Sequence, residues 1–186
     1  MSGLSDRLNQ IMKQLESKTL VVGFMANATY DDGTSVAMIA AQNEFGGVIN
    51  IPAHTVTLYR KVNSDGSFAK SGRFVKRSKS NFATDHTVPA YSVTIPSRPF
   101  FRQMVAKESP TWSAKIGNCL IASNYDADKA LEMVGEDVKG ALQESIRDFT
   151  TPALEQSTID KKGFSKPLID TSHMINSVAF EIREHD

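Results

Sequence analysis

The sequence predicts an α+β protein, a mostly antiparallel sheet packed by helices on one side, with a long projecting β-ribbon arm. Three observations predict it. Short runs with strand periodicity lie in hairpin-like proximity instead of alternating regularly with helices. Helical periodicity dominates the first residues and most of the chain after residue 97. Between residues 48 and 97, two alternating apolar–polar runs flank a polar, basic stretch. The chain therefore reads as one α+β domain over residues 1–186, with a β-ribbon arm inserted at about 48–97.

The first elements follow from spacing and punctuation. Leu4, Leu8, Ile11 and Leu15 recur at helical spacing, with Ser2 or Ser5 placed to cap the helix. Residues 19–25 are short, apolar and β-branched, which predicts a buried strand. Residues 27–33 are rich in turn formers. Val36 to Phe45 reads as a short helix beginning near Thr34 or Ser35. Gly46 and Gly47 stop it, one of them in a left-handed C-cap. Ala37, Ala40 and Ala41 permit close packing against a neighbour. Asn43 and Glu44 at its end either bind a neighbouring backbone or are solvated; for Glu44 solvation is the expectation, because charged residues are mostly exposed.

The arm opens with Ile51-Pro52-Ala53-His54-Thr55-Val56-Thr57-Leu58 and closes with Val88-Pro89-Ala90-Tyr91-Ser92-Val93-Thr94-Ile95. These runs look like imperfect copies, each with its proline where a strand begins. They are expected to pair with each other as an antiparallel ribbon. Between them Arg60, Lys61, Lys70, Arg73, Lys76, Arg77 and Lys79 stand against Asp65, with Gly66, Gly72 and several serines. That composition predicts an arm poorly ordered at its tip before assembly. The seven basic residues are the candidate contacts to a neighbouring protein or to DNA. Phe68, Phe74 and Phe82 interleave the charges, as stacking residues do in a single-strand binder. No RNA-recognition or helix-turn-helix signature accompanies them. Non-specific contact with duplex DNA, or with an acidic protein surface, is what the arm supports.

Helices dominate the remainder. Ser97 is placed to cap a helix with Pro99 near its first turn and Phe100, Phe101, Met104 and Val105 on its apolar side. Ser109-Pro110 repeats that signal before Trp112, Ile116, Cys119 and Leu120. Asp126 or Asp128 opens the longest amphipathic stretch, through Leu131, Val134, Val138, Leu142, Ile146 and Phe149. Thr150-Thr151-Pro152 ends or kinks it. Residues 155–167 read as a loop, and Asp170 or Thr171 as the cap of one more short helix. Val178, Phe180 and Ile182 alternate with polar or small neighbours and predict a final half-buried strand.

Composition and motifs point away from catalysis. Twenty-one basic residues balance twenty-one acidic ones, so the chain as a whole is not a polyanion binder. Cys119 is the only cysteine, which fits a reducing cytoplasm and excludes an internal disulfide. The first residues lack the pattern of a secretory signal, and no apolar run approaches the roughly 20 residues that span a bilayer. Leu168-Ile169-Asp170-Thr171-Ser172 mimics an aspartic-protease phrase. The fourteen residues after Ser172 are too few to build the rest of such a half-site, so Asp170 reads as a helix cap. His54, His86, His173 and His185 are scattered, without a His-Glu-x-x-His phrase, a cysteine pair or an EF-hand loop. Nucleophile-elbow and phosphate-binding glycine patterns are absent. Cys119 reads as a small buried hydrophobe. The expectation is no catalytic, metal or cofactor-binding residue, and no enzyme.

Three phrases carry a resemblance. Leu20 to Phe24 with Val36-Ala37-Met38-Ile39-Ala40-Ala41-Gln42-Asn43-Glu44-Phe45-Gly46 is the first. Ile95-Pro96-Ser97-Arg98-Pro99-Phe100 is the second, and Leu168 to Val178 the third. In this order the chain resembles the tail-completion, or neck, family of long-tailed bacteriophages, the head–tail joining proteins of virion morphogenesis. Two departures matter: Ser172 stands where the family usually has glycine, and the basic insertion separates phrases that many members join directly. The resemblance implies a non-enzymatic virion structural protein that completes the tail and joins it to the head. It would form a ring, expected as a hexamer with a dodecamer as the alternative. Its partners would be the head-side connector or adaptor and the tail tube or tail terminator. Double-stranded DNA would pass through the lumen, open to non-specific contact. The protein would be assembled in the bacterial host cytoplasm and reside in the virion neck. A head-closure or tail-terminator role, or a nucleic-acid-binding accessory protein using residues 60–79, are the other readings.

Overall fold

The computed structural model describes residues 2–151, 168 and 172–185. The fold is α+β with small antiparallel sheets, as the strand and helix patterns predict. The sheet content is divided into three two-stranded ladders, not gathered into one sheet. The chain separates into two compact units, Met1–Gly47 with Pro96–Asp186, and the inserted Val48–Ile95.

The first unit contains α1 (Ser2–Glu16), β1 (Lys18–Phe24) and α2 (Val36–Phe45) before the insertion. After it come α3 (Phe100–Glu108), α4 (Trp112–Ala122), α5 (Ala127–Asp148), α6 (His173–Asn176) and β6 (Val178–Glu184). β1 and β6 pair antiparallel along their whole length, from Lys18↔Glu184 to Phe24↔Val178. The two ends of the chain are thus joined by one ladder. The core is built on one side of α5, where Val134, Val138, Leu142, Ile146 and the following Phe149 are buried. Val36 and Ala40 of α2, Phe100 and Met104 of α3, and Met174, Ile175 and Val178 pack against that stripe. The 3.6-residue periodicity of α5 is the cause, since it lines up one apolar stripe along six turns. Gly135 lies on the same helix, and a Cβ there would sit 2.5 Å from the Phe180 ring of β6.

Local caps explain where these helices begin and end. Ser35 accepts the Met38 N–H at the start of α2, and Asp126 accepts the Lys129 N–H at the start of α5. Gly46 closes α2 with φ +69°, and its N–H reaches the Gln42 carbonyl oxygen at 2.9 Å. Two expected caps are not formed. Ser97 does not cap α3, which starts directly after Pro99, and Ser109 lies in a 3₁₀ turn that leads from α3 towards α4. β1 is mostly half-buried where the sequence predicts a buried strand, because a two-stranded ladder leaves both outer edges open. In α1, Ile11 is buried and Leu15 half-buried, but Leu8 is exposed.

Asp170, Thr171 and the expected loop at 155–167 lie outside the described residues. Ser172 precedes α6 with φ +58°, ψ +8° and makes no side-chain cap. That left-handed conformation suits glycine better than serine.

The inserted unit is a pair of consecutive ladders. β2 (Gly47–Ile51) pairs with β5 (Tyr91–Ile95), and β3 (His54–Arg60) pairs antiparallel with β4 (Phe82–Val88). The two Pro-Ala runs pair with each other only at their near ends, where His54 meets Val88 and Ile51 lies in the β2–β5 ladder. Residues 54–58 pair with 84–88, and residues 91–95 belong to a different ladder. A proline has no N–H to donate, so Pro52 and Pro89 interrupt pairing and the ladder restarts beyond each Pro-Ala step.

Candidate functional site

The first and second sequence phrases meet in the first unit. Glu44, at the last turn of α2, is only 5% exposed. Its carboxylate accepts the backbone N–H groups of Phe101 and Arg102 at 2.9 and 3.2 Å. It also accepts Arg102 Nε at 2.7 Å. Glu44 therefore caps α3 from a different helix, supplying the acceptor that Ser97 was expected to supply. A negative charge at a helix N-terminus is favoured by the exposed N–H groups and by the helix dipole. The expectation of a solvated Glu44 is corrected for this reason: burial is tolerated because three donors, one of them cationic, surround the carboxylate.

Other bonds complete the interlock. Ser97 Oγ donates to the Glu44 carbonyl oxygen at 2.8 Å, and Arg102 Nη2 donates to the same oxygen at 3.1 Å. The Arg98 N–H donates to the Asn43 carbonyl at 2.7 Å, and Arg98 Nη1 to Asn43 Oδ1 at 3.1 Å. Asn43 is itself oriented by a bond from Nδ2 to the Ile39 carbonyl. Arg102 lies over the exposed Phe45 ring at 5.1 Å. Arg98 is nine-tenths buried, and its Nε has no partner. Burial pushes its guanidinium below the ordinary arginine value. The sequence carried a signal for this latch: two arginines four residues apart at a helix start, and an Asn-Glu pair at a helix end. It did not say that they meet.

The seven basic candidates all lie in the inserted unit, and the structure separates them by role. Arg60 ends β3, and its guanidinium sits over Phe68 at 5.5 Å and over Phe74 at 4.9 Å. Phe68 and Phe82 meet edge to face at 5.7 Å. Two of the aromatic rings expected to stack on bases are thus occupied by an arginine of the same unit. Lys61, Lys70, Arg73, Lys76, Arg77 and Lys79 are exposed. The segment carrying them has defined turns. Asn81 Oδ1 accepts the Val62 N–H and Asn81 Nδ2 donates to the Val62 carbonyl, extending the β3–β4 pairing by side chain. Val75 N–H donates to the Tyr59 carbonyl, and Ala69 N–H to that of Lys61. Lys70, Ser71 and Gly72 follow one another with φ of +51°, +54° and +78°, a tight reversal. Asn81 carries no charge or hydrophobicity, and the sequence offered no reason to single it out.

An apolar cavity of about 340 Å³ is lined by Leu20, Val22, Phe101, Val105, Trp112 and Ile116 among others, and no titratable group lines it. The histidines serve local contacts. His173 Nε2 donates to the Thr29 carbonyl at 3.0 Å and its ring lies 4.7 Å from Tyr30. Among the described residues no three His, Cys, Asp or Glu side chains gather as a metal site, and no helix is long and apolar enough to cross a membrane. Cys119 is half-buried against the core. No protein-family model, curated protein or solved structure matches this chain.

Proposed function

We propose that this chain is a non-enzymatic structural subunit of the head–tail junction of a long-tailed bacteriophage. It forms a ring, a hexamer in preference to a dodecamer, that completes the tail and meets the head-side connector. The tail tube or tail terminator lies on its other side, and DNA passes through the lumen. The observation that supports this reading is the latch. Asn43 and Glu44 of one family-like phrase bind Ser97 and Arg98 of the other and Arg102 just after it, so both phrases act in construction and neither presents a nucleophile, base or metal ligand. The inserted unit is then the element available for partner contacts, through Lys61, Lys70, Arg73, Lys76, Arg77 and Lys79.

The test is genetic and structural. A phage lacking the protein is expected to accumulate separate heads and tails that join when purified protein is added. Purified virions are expected to contain a fixed small number of copies at the neck. Normal virions formed without the protein would overturn the reading. A second reading, a nucleic-acid-binding accessory protein, is favoured by the six exposed basic residues. It predicts sequence-independent DNA affinity that falls steeply with salt.

A further inference from the structure

No residue from 45 to 97 is buried, although the inserted unit spans 48–95. Its two ladders have unpaired outer edges. Val48, Ile49, Tyr91 and Val93 of β2 and β5 are each at least 41% exposed. An isolated two-stranded ladder is marginal in water and leaves edges that template further pairing. This unit therefore has little burial of its own and calls for a cover.

Charge identifies the cover. The inserted unit carries seven basic residues and two acidic ones, a net +5. The remaining residues carry fourteen basic and nineteen acidic, a net −5. The zero net charge of the chain is thus two opposite charges held on different units. Within the first unit, α5 bears six acidic residues against three basic. Glu132, Glu144 and Asp148 are exposed on it, and the latter two line a cleft with Glu108 and one basic residue, Lys107, of α3.

We infer that the inserted unit of one copy docks on the acidic α5 side of a second copy. The contact is heterologous, since two different surfaces meet, and heterologous contacts form rings where the rotation closes and open filaments where it does not. The inference deepens the proposed ring and rests on that reading for closure of the contacts. Opposite potentials steer the encounter and fix its register, while the exposed apolar residues of β2 and β5 supply burial.

Charge exchange tests this. One variant carries Arg73→Glu, Lys76→Glu and Lys79→Glu; a second carries Glu132→Lys, Glu144→Lys and Asp148→Lys. All six side chains are exposed, so folding is checked by circular dichroism and retained in both. Each variant alone is expected to self-associate at least about tenfold more weakly than wild type in sedimentation, and the wild-type association is expected to weaken with salt. Mixed in equal amounts, the two variants are expected to recover assembly, because each reversed surface then faces an opposite one. Wild-type protein that stays monomeric at its highest soluble concentration overturns the inference. So does undiminished association of either variant, or a mixture that fails to recover. A reversed insert that loses only retention of duplex DNA, with self-association intact, assigns the basic face to nucleic acid instead. Recovered assembly with no effect on head–tail joining would leave the contact standing and overturn the functional reading.

Discussion

Glu44 shows how one side chain can hold two elements. Its carboxylate accepts two backbone N–H groups and one guanidinium N–H from residues 57 and 58 positions away. Hydrogen bonds to a charged group contribute about 1.5–3 kcal/mol, and an unsatisfied buried donor costs about 1–3. Glu44→Gln keeps the shape but leaves one oxygen in place of two and sets an NH₂ against donors. It is expected to lower stability by about 2 kcal/mol in urea unfolding, with Glu44→Ala lower still. A Glu44→Gln protein as stable as wild type would show that the carboxylate does not cap α3. Ser172 offers the opposite sign. A non-glycine residue in the left-handed region costs about 1 kcal/mol, so Ser172→Gly is expected to raise the unfolding midpoint. These two residues also mark what single positions reveal. The left-handed backbone at Ser172 was not legible from its residue type, because serine ordinarily avoids that region. Nor was the burial of Glu44, because its donors lie far along the chain and glutamate is ordinarily exposed.

Among the elements, α5 was the most legible, since its stripe and its Asp126 cap are both local signals. The partner of β1 was not legible, because β6 lies at the far end of the chain and alternation does not name a partner. Proline placement showed where strands begin, yet the pairing followed from which segments could continue a ladder past Pro52 and Pro89. Two glycines of α5 give a paired prediction. Gly140 has nothing within 4 Å of a built Cβ, so Gly140→Ala is expected to gain about 0.5–1 kcal/mol from helix propensity. Gly135→Ala drives a methyl into Phe180 and is expected to lose about 1 kcal/mol net, overpacking exceeding that gain. Equal effects at the two sites in thermal unfolding would mean that α5 and β6 are not in close contact. Charge pairs add a pH dependence. Bonds to Asp137 and Glu108 raise the Lys115 ammonium above its ordinary 10.5, joining α4 and α3 to α5. A raised folded pKa contributes stability below 10.5 and loses it as pH rises through the folded value. The stability gap between wild type and Lys115→Met is expected to hold through neutral pH and to close as pH rises through the raised folded value. A gap unchanged in strong alkali would assign the effect to packing of the lysine stem.

For the whole molecule, every buried residue among those described lies in the first unit, and the inserted unit has none. Composition alone gave a net charge of zero and concealed this division, because opposite charges on the two units cancel in the sum. The division makes a strong claim about stability. Burial of apolar area is the main favourable contribution to folding, at about 25 cal/mol per Å². A unit without buried side chains contributes little to it, and β2 pairs with β5 so that the chain leaves and returns at adjacent positions. Replacing Val48–Ile95 with a short Gly-Ser linker is therefore expected to leave unfolding of the first unit cooperative, with a urea midpoint close to that of wild type. Glu44, Ser97, Arg98 and Arg102 are all retained, so the latch can still form. The same deletion is expected to abolish self-association, because it removes the whole basic surface while sparing the acidic one. A deleted protein that unfolds without cooperativity would show that the insertion is part of the folding unit. One that folds and still self-associates would place the copy-to-copy contact on the first unit alone.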